Sequence, residues 1–472
     1  MRLYDTLARS VVEIEPTTPG LLRIYACGPT VYRDAHVGNM RTFLLADLIS
    51  RVADVDGLQV NLVQNITDVG HMADDTGLGG VDEGQGDGED RVLQQSALES
   101  RPALEVARHY EEEFHKDLSS LNIRPADAYP RASESIDDMV ALIAELMESG
   151  HAYVGGDGSI YFAAESVADY GRLSGNRLDQ LRPGHRHESD VDTTKRFHAD
   201  WALWKTAGPT RTQLVWDTPW GAGFPGWHTE CSAMSRRHLG TTIDVHTGGI
   251  DLRFPHHEDE RAQSNAVAGH EVVQHWVHGE HLLFEGRKMS KSSGNVVLVS
   301  DVIDRGLDPL ALRLAFMQHR YRQQMNLTWE VIESANATIE RWRQLVALWA
   351  TEPSAAMPPQ ISASLLEFAR DDLDFPRVIN VLREVEKDAS ISAGAKFELF
   401  VYADRLLGLD LARNIGKAVL AREIPPEIDI LLAERAKARA DKDWAAADRL
   451  RDTLAEKGFL VVDTPGGQEL AP

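Results

Sequence analysis

Cysteine is almost missing from this chain. Only Cys27 and Cys231 occur in 472 residues. Two cysteines cannot build a disulfide framework, and a reducing compartment keeps both as thiols. Each is then a small buried hydrophobe or a chemical tool. Positive charge is also short: 49 Lys and Arg stand against 73 Asp and Glu, a formal charge of −24. An unspecific nucleic-acid binder needs a basic surface, so that class is excluded, while a local basic patch is not. No apolar run approaches the ~20 residues needed to span a bilayer. The opening MRLYDTLARSVVEIEP carries charges where a signal peptide needs an apolar core. A cytoplasmic protein without membrane contact is expected. Internal repeats are lacking too.

What is present reads as alternating strands and helices. LLRIYAC (21–27) is a short apolar run ending at Gly28-Pro29 and predicts a buried strand. From Val37, apolar residues at helical spacing run to a stop at Gly57. LQVNLVQNIT (58–67) predicts a second strand. Strand, turn, helix, strand is a βαβ unit, which implies an α/β fold with a Rossmann-type, doubly wound parallel sheet and ligands at its carboxyl edge.

The stretch 74–90 is rich in Gly and Asp and predicts an acidic loop. One long helix is expected over 92–121. SIDDMVALIAELMESG predicts a helix capped by Ser135 and Asp138, and a hairpin turns at Gly156-Asp157-Gly158. The sheet is expected to resume near Gln213. From about Leu307 the pattern is helical, with linkers at 351–360 and 422–429. The expected units are 1–120, the first half of a catalytic domain; 121–200, an insertion; 201–298, the second half; 299–421, a helical bundle; and 422–472, a C-terminal domain.

Three clusters can carry chemistry. In HHEDE, His256 and Glu260 share a helix face at i and i+4 and could hold a divalent metal, with Cys27 and Cys231 as converging thiolates. A solvated helix with adjacent histidines explains the spacing equally well. In His36-Val37-Gly38-Asn39, a glycine at a helix start lets backbone and helix N-terminus meet a phosphate, or the turn simply begins a helix. In KMSKSSGN, Lys288 and Lys291 flank small hydroxyl residues on a glycine-bounded loop, a cationic arm suited to phosphate charge. Alone, such a loop is ordinary solvated surface.

Together and in this order, these motifs resemble the paired signatures of class I aminoacyl-tRNA synthetases. CGPTVY, GWHTECSAMS and FPHHEDE resemble the cysteinyl-tRNA synthetase family in particular, and the resemblance runs to the tail FLVVDTPGG. It implies a ligase that activates L-cysteine with ATP and Mg2+, then transfers it to tRNA(Cys). It implies one zinc per chain on Cys27, Cys231, His256 and Glu260, selecting the substrate thiol. It implies His36, Asn39, Lys288 and Lys291 as catalytic residues, and Gly38, Gly248, Gly249, Asp251 and Lys291 around ATP. Gly28, Thr67 and Trp227 would surround the bound cysteine, with His228 beside them, although core packing also explains Trp227. Arg439, Asp448 and Asp463 match anticodon-reading positions, and Trp444 could stack on a base. A solvated helical pair is the plainer reading of that tail. No insertion is large enough for an editing domain, and a monomer is expected.

The chain departs from the family pattern at Asn39, where His is usual, at DVGHMADD after Thr67, at Ser293, and in a tail without the frequent Trp. Two rivals remain. The mycothiol-pathway cysteine ligase shares the zinc site and both ATP signatures, but typically reads CGITPY and lacks the C-terminal segment. An inactive tRNA-binding paralogue would have lost ligands or lysines that this chain keeps.

Overall fold

A computed structural model of the chain describes residues 1–72, 90–181, 194–289, 295–417, 426–456, 459, 461–464 and 467–470. The expected acidic loop, apart from Asp90, and the loop residues Lys291 and Ser293 lie outside these. Strand β1 (Leu21–Ala26), helix α1 (Val37–Val55) and strand β2 (Gln59–Gln64) form the expected βαβ unit. The strands are parallel, with Leu21 opposite Gln59 and Ala26 opposite Gln64. Helix α1 ends at Asp56, and Gly57 takes φ +80°, the left-handed geometry that glycine adopts without a Cβ penalty.

The chain then leaves the sheet for an insertion. The single helix expected over 92–121 is two, Arg91–Glu99 and Ala103–Ser120. Ser100 turns left-handed at φ +54°, and Pro102 has no N–H to continue the ladder. Helix Ile136–Glu148 lacks the expected capping box, because the Ser135 hydroxyl donates back to the Arg131 carbonyl. The hairpin Ala152–Val154 with Ile160–Phe162 forms as expected, with Gly158 at φ +84°.

Strands Trp201–Thr206, Gly221–Pro225 and Trp216–Thr218 join that hairpin in one five-stranded antiparallel sheet. The parallel sheet therefore does not resume near Gln213, and the inserted sheet crosses the expected boundary at residue 200. The apolar alternation is equally good for either sheet. Trp201, Leu203, Trp204 and Phe224 are buried here, where short connections suffice for antiparallel pairing. The parallel sheet resumes through α2 (Trp227–Leu239), β3 (Ile243–Gly249), α3 (His256–Ala268) and β4 (Val273–Gly279). Its order is β4-β3-β1-β2, all parallel. The winding reverses between β1 and β3, and the crevice beyond their carboxyl ends is where such sheets bind ligands.

Beyond β4 the chain is mostly helical, from Val299–Asp304 to Ala393–Leu407. Helix Pro359–Arg370 starts inside the expected 351–360 linker. Helices Pro426–Ala440 and Trp444–Glu456 and a hairpin (Val461–Thr464, Gly467–Leu470) gather around Ile428, Leu454 and Phe459.

A buried cation ties these parts together. Arg313, fully buried in helix Leu310–Met317, donates to Asp47 of α1 at 2.5 Å. It also donates to the Leu407 carbonyl at 2.5 Å and the Leu121 carbonyl at 3.1 Å. Asp47 accepts from Arg51 as well, at 2.8 Å, and from the Arg124 N–H at 3.0 Å. Burial alone would push the Asp47 carboxyl up, but Arg313 and Arg51 hold it below the usual carboxylate range. Removing one partner of a buried pair strands the other charge, at about 3–5 kcal/mol. Asp47→Leu, which strands both Arg313 and Arg51, should lower the unfolding free energy in urea titration by at least about that amount, and by more than Arg313→Met, which leaves Asp47 paired with Arg51.

Candidate active site and metal centre

Four potential ligands arrive from three elements at the switch point. Cys27 follows the last residue of β1, and its N–H donates to the Thr247 carbonyl of β3 at 3.1 Å. Helix α2 supplies Cys231. Helix α3 opens on His256 and carries Glu260 one turn later. The Cys27 and Cys231 sulfurs are 4.0 Å apart, Cys27 Sγ is 3.7 Å from Glu260 Oε1, and His256 Nε2 is 2.9 Å from the same oxygen. All four ligand atoms lie within 4.8 Å of one another and are buried. The solvated-helix alternative fails, since the first two turns of α3 are buried.

The structure adds residues that sequence reasoning missed. His246 of β3 and His257 of α3 turn Nε2 toward Cys27 Sγ, at 3.5 and 3.2 Å. With Cys27 and Glu260 they make a second foursome within 4.8 Å. A polar residue in a strand buried at every position was the available signal for His246. His257 had none beyond adjacency to His256.

The donor chemistry separates the two sets. Cys27, Cys231, His256 and Glu260 offer two sulfurs, one nitrogen and one oxygen, which suits zinc; the other set has a single sulfur. The Tyr25 hydroxyl supports metal-bound thiolates. It is buried without a hydrogen-bond partner, and its phenol is raised by burial and by Cys231, Cys27 and Glu260 around it. Thiolates would be acceptors for that orphaned O–H. Burial opposes charge on His256, yet Glu260 and Cys231 hold its imidazolium up to about 10. The cluster thus already stabilises a positive charge. His256 is further held by His228, ring nitrogen to ring nitrogen at 2.9 Å, and His228 lies 3.5 Å from Asp259.

Beside the cluster, Trp227 stacks between His71 at 4.0 Å and His256 at 4.1 Å. It is both packed and part of the wall. Gly28 donates its N–H to Asn65 Oδ1 at 2.8 Å, and a Cβ there would overlap the Asn65 carbonyl. Asn65 donates to Thr67, and Thr67 donates to Glu230 at 3.0 Å. Burial raises the Glu230 carboxyl well above its ordinary range, and its second oxygen has no partner. Glu230 was also missed, though it sits beside Cys231.

The second half of the site lies at the start of α1. His36 is the N-cap: its N–H donates to Asn39 Oδ1, and its Nδ1 accepts from the Asn39 N–H, both at 3.2 Å. Accepting at Nδ1 leaves the proton of a neutral ring on Nε2. Burial and then Arg33 lower this imidazole to about 4. A Cβ on Gly38 would press on Met289 and the His36 ring. The Val37 N–H donates to the Val297 carbonyl at 2.9 Å, and His36 bridges to Leu298. The first signature is thereby joined to the chain segment after the lysine loop. Lys288 is exposed at the near end of that loop. Gly249 leaves room for Asp251 Oδ1, whereas the space over Gly248 is taken by the His257 ring.

A family model described as tRNA synthetases class I (C) catalytic domain matches residues 13–76 and 83–337. A second, the cysteinyl-tRNA ligase anticodon binding domain, matches 421–470. The cysteine–tRNA ligase of Salinibacter ruber is 39% identical over 508 residues, covering 99% of this chain and 97% of its own. That of a Thermus thermophilus strain is 39% identical over 486 residues, covering 98% of each. This chain belongs to the cysteine–tRNA ligase family. Mycobacterium tuberculosis methionyl-tRNA synthetase in complex with methionyl-adenylate has a TM-score of 0.55 at 14% identity, over 90% of this chain and 96% of that one, and bears on fold alone. The tail's match leaves the mycothiol-pathway alternative without support.

In the anticodon-domain match, Arg439 lies half-buried near the end of one helix, and Trp444, 59% exposed, opens the next. Asp448 is exposed and pairs with Arg451 at 3.2 Å. Asp463 falls in the first strand of the hairpin.

The low value for His36 gives a signed expectation. Unfolded, the ring titrates near 6.5; folded, near 4. Above 6.5 both states are neutral. As pH falls from 6.5 toward 4 the unfolded chain takes the proton first, so stability is lost across that window. An NMR titration, with the ring assigned by difference from His36→Gln, should show no inflection above pH 5. An inflection near 6.5 would mean the ring is free to charge.

Proposed function

We propose that Cys27, Cys231, His256 and Glu260 hold one zinc ion that selects cysteine by its thiol, and that the start of α1 and the lysine loop hold ATP on either side. The observation that carries this is the meeting of those four ligand atoms beside the class I signature. When bound, zinc supplies a Lewis acid that favours a thiolate over a serine hydroxyl, a distinction of one atom that shape alone makes poorly. The neighbouring wall then orients the amino acid. Gly28, Thr67 and Trp227 surround it, and His228 fixes His256 from behind.

The family's reaction has two steps. The carboxylate of cysteine attacks the α-phosphorus of ATP, and the bond to the β-phosphate oxygen breaks, releasing pyrophosphate with its Mg2+. A ribose hydroxyl of the terminal adenosine of tRNA(Cys) then attacks the acyl carbon and displaces AMP. The protein contributes positioning and electrostatic stabilisation. His36 donates from Nε2–H to a phosphate oxygen, a role for which a neutral ring suffices. Asn39 fixes that tautomer through its backbone N–H, and its amide nitrogen can donate beside it. Gly38 keeps the helix start open. Lys288 and Lys291 bring positive charge from the other side. Gly248, Gly249 and Asp251 are assigned to the adenosine end, with Gly248 acting through the His257 ring it admits. Arg439, Trp444, Asp448 and Asp463 are assigned to the anticodon.

In this reading the five units keep their expected order, with the insertion taken from Arg91 to Pro225. The working unit is taken as a monomer. A cytoplasmic setting goes with this reading.

Metal analysis of purified protein tests the ligand set. The wild type should carry about one zinc per chain and charge tRNA(Cys). Cys231→Ser should lose the metal and the charging, while His246→Ala should keep the metal. The opposite pattern would move the ion to the second foursome. Arg439→Ala should raise KM for tRNA(Cys) and leave cysteine-dependent pyrophosphate exchange unchanged; equal losses in both assays would remove the anticodon assignment.

A further inference from the structure

The first turn of the chain after strand Arg2–Asp5 ends in a line of hydrogen bonds to the metal cluster. The Thr6 hydroxyl is 2.7 Å from His278 Nδ1. His278 Nε2 is 2.8 Å from His257 Nδ1. His257 Nε2 is 3.2 Å from Cys27 Sγ. All four side chains are buried, and Thr6 is pinned by its own N–H, which donates to the Trp276 carbonyl at 2.8 Å. Four elements meet in this line, and none of the three residues behind Cys27 is in either ATP signature.

The direction of the line follows from its ends. A metal-bound thiolate carries no proton and can only accept. The nitrogen facing it must therefore be an N–H. A neutral imidazole has one donor and one acceptor nitrogen, so His257 Nδ1 accepts from His278 Nε2–H. His278 Nδ1 then accepts from the Thr6 O–H, the group at the far end with a proton to give. Each tautomer is set by the next residue, and the last proton is Thr6's. Gly248 belongs to the same device, because a side chain there would press on the His257 ring within 2.6 Å.

We infer that Thr6 and His278 are positioning residues for the proposed zinc site: they fix His257 as the N–H donor to the Cys27 thiolate. An N–H···S bond draws charge from that sulfur, which leaves the metal a stronger Lewis acid toward an incoming thiol. It also holds Cys27 in place as a ligand. The inference rests on the zinc reading above.

Thr6→Val keeps shape and removes the O–H; Thr6→Ser keeps the O–H. His278→Phe cuts the line at its middle. Cobalt-substituted protein reports on the sulfur directly through its thiolate-to-metal absorption band. Thr6→Val and His278→Phe should shift that band and hasten zinc loss to a chelator, by about tenfold if they behave as other outer partners of metal ligands. Thr6→Ser should match the wild type in both. KM for cysteine should rise in Thr6→Val and His278→Phe, with KM for ATP unchanged. If Thr6→Val and Thr6→Ser give the same band and the same zinc retention, the line does not act on Cys27 and the inference falls. A wild type that binds no zinc overturns the underlying reading instead, and the two failures are distinguishable before any variant is made. Should His278→Phe not fold, the Thr6 pair alone decides the matter.

Discussion

Burying a cluster of ionisable ligands is the constraint on which the site depends. Sulfur, imidazole and carboxylate groups cannot stay charged in a dry interior without a partner. At the β1–β3 switch point the partners come from one another and from a shell of further histidines. The Glu260 carboxylate draws positive charge onto His256. His228, His246 and His257 crowd in, and burial pushes each of them toward its neutral form. Neutral imidazoles add donors and acceptors without adding charge, so a dense polar centre can exist at the heart of a sheet. The all-parallel arrangement matters here, because it delivers the ends of β1 and β3 and the starts of α2 and α3 to one edge.

The two halves of the site are joined by backbone. Val37 and His36 pair with Val297 and Leu298. The helix start proposed to face the phosphates is thus hydrogen-bonded to the segment that follows the lysine loop. Any displacement of that segment acts on the N-cap of α1, and with it on the His36–Asn39 pair. Asn39 shows why a residue other than His is workable at this position. Its carbonyl oxygen accepts from the His36 backbone, and its own N–H sets the His36 tautomer. Neither contact needs a positive charge. The structure therefore gives the departure from the usual signature a local use.

Much of this was legible in the sequence. Periodicity and punctuation located β1, α1 and β2, because short apolar runs bounded by Gly and amphipathic stretches leave few choices. The four proposed ligands were named from spacing plus resemblance. What was hidden had no local signature. The strands 201–225 carry the same alternation whichever sheet they join, and only their pairing with Ile160–Phe162 decides it. Asp47 and Arg313 are ordinary charges on two helices until the fold brings them within 2.5 Å. The second layer behind the cluster is the clearest case. Thr6 and His278 stand 272 positions apart in the sequence. They meet each other, and reach His257 behind Cys27, only through the sheet.

That layer bears on how the site could discriminate without a second, editing site. A pocket that distinguishes sulfur from oxygen by contact area has little to work with. A metal with thiolate ligands distinguishes them by bond chemistry, but its preference depends on how much charge those ligands already donate. A donor N–H on one sulfur and a buried phenol beside the other would both withdraw charge from the ligands. The polar crowd around Cys27 and Cys231 then has a chemical consequence, which the crowding itself does not require. Burial supplies the other half of the argument. In the proposed site little water reaches the sulfurs, since Cys231, His256 and Glu260 are each at most 2% exposed. On the proposed zinc reading, selectivity is accordingly a property of the layers beneath the substrate as much as of the wall that would touch it.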